Sequence, residues 1–254
     1  MDVFGVALAD IYPFILIGFG AQLVDGALGM AFGVICSTLM VGTLGVPPAV
    51  ASKRVHVVEC FTTAASGISH LLHGNIDGRL FARLVVPGVL GGVTGAYLLS
   101  NLDAELVRPF VLLYLLGIGI YLLLRGFRRP PPPREARIIA PLGLIGGFLD
   151  AAGGGGWGPI VTSNLLVQGA EPRKVVGTVS ASEFFLTVAI SATFIWQLGV
   201  ADLAGATLGL LIGGVAAAPL GAVAARYLPA RPMLILVGAV LTLTSGYGVW
   251  AALT

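Results

Sequence analysis

Four carboxylates, Asp25, Glu59, Asp150 and Glu183, stand inside otherwise apolar stretches of the chain. A carboxylate in dry surroundings is costly unless it is paired or protonated, so each is a candidate for proton coupling or gating. Glu59 belongs to the run PPAVASKRVHVVECFTTAASGISHLLH, in which Lys53, His56, Glu59 or Cys60, and Thr63 recur at three- and four-residue spacing on one helix face. On that face Lys53 or Arg54 could hold an anion electrostatically. His56 could donate to an oxygen and titrate near neutral pH, and Glu59 could carry a proton. The plainer alternative has Lys53 and Arg54 reaching to an interface along their stems. The equivalent stretch later in the chain offers Ser180, Ser182 and Glu183.

The other two acids each precede a glycine-rich break, VDGALGMAFGV after Asp25 and LDAAGGGGWGPI after Asp150. An apolar segment restarts after each break, FGVICSTLM from Phe32 and WGPIVTSNLLV from Trp157. A helix start exposes unpaired N–H groups and the positive end of its dipole, which attract anions, and glycine lets a ligand approach the backbone closely. The candidate anion-binding positions are therefore Gly29, Phe32, Gly33, Lys53, Arg54, His56, Gly154, Gly155, Gly156, Trp157, Ser180 and Ser182. The alternative is that both breaks are packing motifs, with small residues for close approach and the acids as caps.

The elements that must position these residues follow from composition. Of 254 residues, 57% are hydrophobic and 10% charged, and the mean hydropathy is +0.97; an ordinary soluble domain carries roughly 25% charge. Apolar runs of about 20 residues, long enough to span a bilayer as helix, recur throughout. The fold class is all-α, polytopic and membrane-embedded. The 37 glycines, about twice the usual share, suit close helix packing in lipid. Cys36 and Cys60 lie in apolar segments without CxxC spacing and read as buried thiols. The first cation is Lys53, so no basic signal-peptide region is seen at the N-terminus. A net charge of +2 spread over loops gives no footprint for nucleic acid.

Sliding the chain along itself by about 125 residues aligns LIGFGAQLVDGALGMAFGV with PLGLIGGFLDAAGGGGWGP, pairing Asp25 with Asp150, Phe32 with Trp157 and Gly33 with Gly158. After a one-residue slip Glu59 meets Glu183 and Thr63 meets Thr187. The chain thus divides into a first repeat, 1–124, a Pro- and Arg-rich linker, 125–137, and a second repeat, 138–254. Each repeat has a broken segment, near 11–44 and 138–168, then three spans, near 48–73, 80–100 and 105–125, and near 174–198, 203–225 and 231–252. If the broken segments enter and return, the repeats are inverted. Arg79, Arg83, the linker, Arg173, Lys174, Arg226 and Arg231 then share the cytoplasmic side, as positive-inside bias requires, with both termini opposite. Inverted repeats around a midplane site are a common transporter plan.

His70 and His73 lack a third ligand at suitable spacing, so no metal is expected, and GxSxG, HExxH and Walker patterns are absent, so no enzyme or cofactor is expected. Taken together, GFGAQLVDGALGMAFGV, GVPPAVASKRVHVVE, TTAASGISHLLHGNID, LDAAGGGGWGPIVTSNLL and VVGTVSASEFFLT resemble the TauE/SafE family of sulfite and organosulfonate exporters over about residues 11–252. The resemblance implies a multi-pass permease of the bacterial inner membrane moving a small inorganic or organosulfur anion, with protons as coupling ion. By the same resemblance the glycine breaks map to Gly26, Gly29 and Gly33 and to Gly153 through Gly156 and Gly158, and the helix motifs to His56 and Glu59 and to Ser180, Ser182 and Glu183. The chain departs from the family pattern at Met30-Ala31 and at the Lys53-Arg54 pair, and the added cations would favour a doubly charged anion. Competing readings are a passive anion channel, a membrane-embedded enzyme and an assembly protein; a homo-oligomer is compatible with each.

Overall fold

The computed structural model describes residues 2–3, 6–28, 30–128, 134–200, 203, 205–227 and 230–253. Apart from a minimal antiparallel hairpin, β1 (Asp2–Val3) with β2 (Val6–Ala7), the described chain is helical. The first repeat contributes α1 (Leu8–Leu28), α2 (Phe32–Ser37), α3 (Pro48–Leu72), α4 (Gly78–Ser100) and α5 (Ala104–Phe127). The second contributes α6 (Ala140–Gly153), α7 (Ser163–Val167), α8 (Pro172–Leu198), α9 (Ala206–Tyr227) and α10 (Ala230–Leu253). Residues Thr38–Thr43 extend α2, and Trp157–Thr162 lead into α7, both in π winding. Each broken segment is therefore a long helix, a break and a short return helix. α5 runs on to Phe127, two residues beyond the Arg125 at which the linker was expected to begin.

Helices α4, α5 and the 174–198 stretch of α8 are each long and apolar enough to cross a bilayer. α4 and α5 start at Asp77 and Asp103, whose carboxylates accept from N–H groups two and three residues on, at 2.9 and 3.1 Å in both cases. Such caps satisfy first-turn donors that have no intrahelical partner.

Packing fixes the relative directions. α3 and α8 run antiparallel: Lys53 at the start of α3 donates to the Gly199 carbonyl at the end of α8 (3.1 Å), and Lys174 at the start of α8 donates to the Gly74 carbonyl beyond the end of α3 (2.8 Å). Gly74 and Gly199 hold equivalent positions and both have positive φ, 63° and 69°. α5 and α10 are likewise antiparallel, with Gly119 against Thr242 and Gly126 against Ile235. Because equivalent helices of the two repeats oppose each other, the repeats are inverted.

Both broken segments return to the face they enter. At the end of the second, Gln168 Oε1 accepts from the N–H groups of Arg137 (2.8 Å) and Ile138 (3.0 Å), just before α6 begins. The Arg134 N–H also donates to the Gly169 carbonyl, at 2.7 Å. In the first, Val41 near the end of the return helix accepts from Arg108 Nη2 at the start of α5 (3.1 Å). α1 starts beside the start of α9, where Gly209 packs on Ile11 and Phe14. α3 and α5 thus end at one face, marked by Arg128, Arg134 and Arg137 and here called the linker face, while α1 starts and α10 ends at the other.

Small residues let these helices touch. α1 packs on α9, where Gly213 meets the Ile15 carbonyl, and α6 packs on α4, where Gly91 meets the Leu144 carbonyl. A Gly91→Val exchange must push these backbones apart and is expected to cost about 1–3 kcal/mol, read as a lowered thermal midpoint in detergent. Gly117→Ala, facing open space, should leave the midpoint unchanged or raise it slightly through helix propensity.

Candidate functional site

The two breaks meet at the centre of the molecule. Gly155, with φ of 145°, lies against the backbone of Gly33 and Val34, and Gly154, with φ of 69°, accepts from Ser37 Oγ of the first return helix. Any Cβ at Gly155 would strike the Val34 nitrogen, so Gly155 is required by contact between two helix starts, while Gly153 and Gly156 make room for Tyr114 and Gly154 for Ser37. These backbone conformations also suit glycine alone.

The two aspartates cap those starts. Asp25 Oδ1 accepts from the N–H groups of Ala31 (2.7 Å) and Phe32 (3.3 Å), and Asp150 Oδ1 from those of Gly156 (2.7 Å) and Trp157 (2.8 Å). This is the capping arrangement that the sequence left open as the alternative, realised in both repeats. Each carboxylate gains from the dipole of the helix it caps as well as from charge-assisted hydrogen bonds. It also occupies N–H groups that a bound anion would otherwise take, leaving Gly33 and Val34, and Gly158, as the next first-turn donors.

His56 is fully buried and ties the second cap to α3. Its Nδ1 lies 2.7 Å from the Ser52 carbonyl, a pure acceptor, so Nδ1 carries hydrogen. Its Nε2 faces Asp150 Oδ2 at 3.1 Å. Two bare acceptors would repel there, so one proton lies between imidazole and carboxylate, as an imidazolium–carboxylate pair or as neutral imidazole with a protonated acid. Ser52 Oγ completes the support by donating to the Ala151 carbonyl at 2.7 Å.

Between the breaks lies a cavity of about 10 Å³, lined by Asp25, Phe32, Gly33, Glu59, Asp150, Gly155, Gly156, Gly158 and Glu183 among others. That is the space of about one water, so the two starts are closed on each other. Glu59 is 5% exposed; its Oε1 packs beside Gly33, and its Oε2 has no hydrogen-bond partner. A buried, unpartnered carboxyl oxygen in a polar cavity is where a proton or ligand is needed.

The remaining predicted residues distribute as follows. Trp157 is buried with its ring on Gly88 and its indole N–H donating to Val179 (3.2 Å), while the Phe32 ring lies against Gly214. Lys53 is fully buried, yet its ammonium bonds Gly199 near the face opposite the linker, away from the cavity lining. Arg54 is half-buried and is not among the lining residues. Ser180 is buried and Ser182 Oγ turns back to the Val179 carbonyl (2.9 Å); neither lines the cavity. Gly29 lies outside the described residues. No group of His, Cys, Asp and Glu suited to a metal occurs among the described residues.

Sequence reasoning missed Tyr114, Ser37 and Ser52. Tyr114 Oη donates to the Gly155 carbonyl (3.1 Å) and its ring packs on Gly153; within the apolar run of α5 nothing marks it. Ser52 stands four residues before His56, a spacing that could have flagged it.

Removing the second cap should be costly. Asp150→Ala strands two buried N–H groups and the His56 contact, an expected loss of about 2–5 kcal/mol. Asp150→Asn, which keeps an acceptor, should lose less, both measured by thermal unfolding in detergent.

The geometry is that of a multi-pass membrane protein built around a central polar site. A family model described as "Sulfite exporter TauE/SafE" matches residues 14–248. The "Probable membrane transporter protein YtnM" of Bacillus subtilis (strain 168) is 42% identical over 241 residues, covering 91% of this chain and 80% of that protein. No solved structure matches the chain. With the family model spanning both repeats and a transporter relative over nine-tenths of its length, the chain belongs to the TauE/SafE family of membrane transporters.

Proposed function

We propose that this protein is a proton-coupled secondary transporter that exports a small sulfur-containing anion, sulfite, sulfoacetate or a related sulfonate, across the bacterial inner membrane. The observation that carries the reading is the cavity between the two capped helix starts, with the unpartnered Oε2 of Glu59 in its wall. The family's description supplies the substrate class. The arginines of the linker support a cytoplasmic linker face and periplasmic termini, by the positive-inside bias.

The electrostatics determine how an anion could be held. Four carboxylates line the cavity, and only His56, through Asp150, sets an acid–base partner against one of them in the contacts described above. Two like charges about 4 Å apart repel by about 4 kcal/mol at an effective dielectric constant of about 20. An anion entering beside ionised carboxylates therefore meets a barrier of several such pairs. Asp25 and Asp150 are engaged as caps by their N–H partners; Glu59 and Glu183 have no such anchors in the contacts described and are the groups that take up protons when the anion arrives. The first-turn N–H groups of Gly33, Val34 and Gly158 then receive its oxygens as Gly155 moves off Gly33. Anion and proton occupy the centre together, and neither crosses easily alone.

The closed centre speaks against a permanently open channel, and the absence of nucleophile motifs against an enzyme. In proteoliposomes, sulfite flux is expected to rise when the imposed pH gradient drives protons in the direction of the flux and to fall when it opposes it. Glu59→Gln should retain flux driven by the sulfite gradient while losing the response to pH; Gly155→Leu should abolish flux because its side chain strikes the facing backbone. Wild-type flux indifferent to the pH gradient would overturn proton coupling.

A further inference from the structure

The two breaks are equivalent in sequence and in capping, but their surroundings differ. Three side chains of the first repeat hold the second break. From α3, Ser52 Oγ donates to the Ala151 carbonyl (2.7 Å) and His56 Nε2 meets Asp150 Oδ2 (3.1 Å); from α5, Tyr114 Oη donates to the Gly155 carbonyl (3.1 Å). Tyr114 also packs on Gly153 and Gly156.

The inverted repeat supplies each of these three with a counterpart at the first break. With Pro48 set on Pro172 and Glu59 on Glu183, Ser52 becomes Val176 and His56 becomes Ser180; with Arg108-Pro109 set on Arg231-Pro232, Tyr114 becomes Val237. Val237 packs in one apolar cluster with Met30 and Ala31, the place beside the first break that Tyr114 takes beside the second. A valine side chain has neither donor nor acceptor, and among the described residues no hydrogen bond joins Ser180 to Asp25. Two further contacts tie the breaks to each other: Ser37 on α2 donates to the Gly154 carbonyl, and Ser163 on α7 reaches the Met30 sulfur at 3.4 Å. These part whichever break moves and so do not distinguish the two. Thr162, the counterpart of Ser37, has a buried hydroxyl with no partner.

We propose that Ser52, His56 and Tyr114 are positioning residues that fix the second helix start on α3 and α5, and that the first helix start is the half of the centre that moves. Separating Gly33 from Gly155 by moving the first start gives up apolar contacts and the two serine ties. Displacing the second start would break the three bonds from α3 and α5 as well, and each leaves a buried polar group unpaired. The motion is a pivot, because Arg108 Nη2 holds the far end of the first return helix at the Val41 carbonyl (3.1 Å). The assignment rests on the transporter reading and names which of the two starts carries the opening.

Amide hydrogen exchange of the full chain in detergent tests this. Ala31 and Phe32 at the first start and Gly156 and Trp157 at the second are equivalent, buried, and bonded in the same way to their own aspartates. Equal surroundings would therefore protect them equally once the sequence dependence of exchange is allowed for. In the wild-type protein Ala31 and Phe32 are expected to exchange about tenfold faster, the change that one net hydrogen bond makes in a local opening equilibrium. Tyr114→Phe and Ser52→Ala should each speed exchange at Gly156 and Trp157 by about the same factor while leaving Ala31 and Phe32 unchanged. A merely structural role would instead raise exchange at both starts, and that outcome overturns the assignment. Equal protection of the two starts in the wild-type protein, or faster exchange at the second, also overturns it. If a variant elutes as aggregate, the wild-type comparison decides. A protected second start in protein that moves no sulfite leaves the assignment standing and removes the substrate reading; sulfite flux with equal protection removes the assignment alone.

Discussion

The arrangement depends on one interaction, repeated: an aspartate at the end of an entering helix holds the first N–H groups of the returning one. A chain that breaks its helix at membrane depth exposes donors that water cannot reach, at several kcal/mol each. Asp25 and Asp150 answer that cost from within the same segment, and each hairpin is closed by its own acid. The two closed hairpins can then meet backbone to backbone, Gly155 on Gly33. The inversion of the repeats, the facing of α3 and α8 and the position of the cavity all follow from bringing those two breaks together.

The same interaction makes the site's chemistry uneven. The aspartates are held by donors on Oδ1, and Asp150 by His56 on Oδ2 as well. Glu59 reaches the cavity with one oxygen unpartnered. Four carboxylates thus divide into two held by backbone N–H groups and two, Glu59 and Glu183, without such an anchor in the contacts described, and the division comes from geometry alone.

Much of this was legible from residue types and spacing. The duplication paired Asp25 with Asp150 and Glu59 with Glu183, and the face through Lys53, His56, Glu59 and Thr63 is buried along its length. What spacing could not tell was how far along that face the centre lies. Lys53 is a turn or two too early, so its ammonium ends on Gly199 instead of in the cavity. Ser182 is on the right helix, yet its hydroxyl finds the backbone carbonyl of its own preceding turn first. Tyr114 could not be found because its role arises only when α5 is laid beside the second break. The glycines read as room for an anion, with close packing as the alternative; Gly155 lies against Gly33 and Val34, as that alternative has it.

The pairing of α1 with α9 and of α4 with α6 carries a consequence for how such a protein comes into being. The first helix of each repeat finds its close-packed partner in the other repeat, so neither repeat has a finished surface of its own. During synthesis α1 waits, lipid-exposed, until α9 has been made almost two hundred residues later. An ancestor of half this length would have faced the same need with nothing further to wait for. It would have had to meet a second copy of itself inserted upside down, and fusing the two through a linker that stays on the face where the first repeat ends made that encounter obligatory.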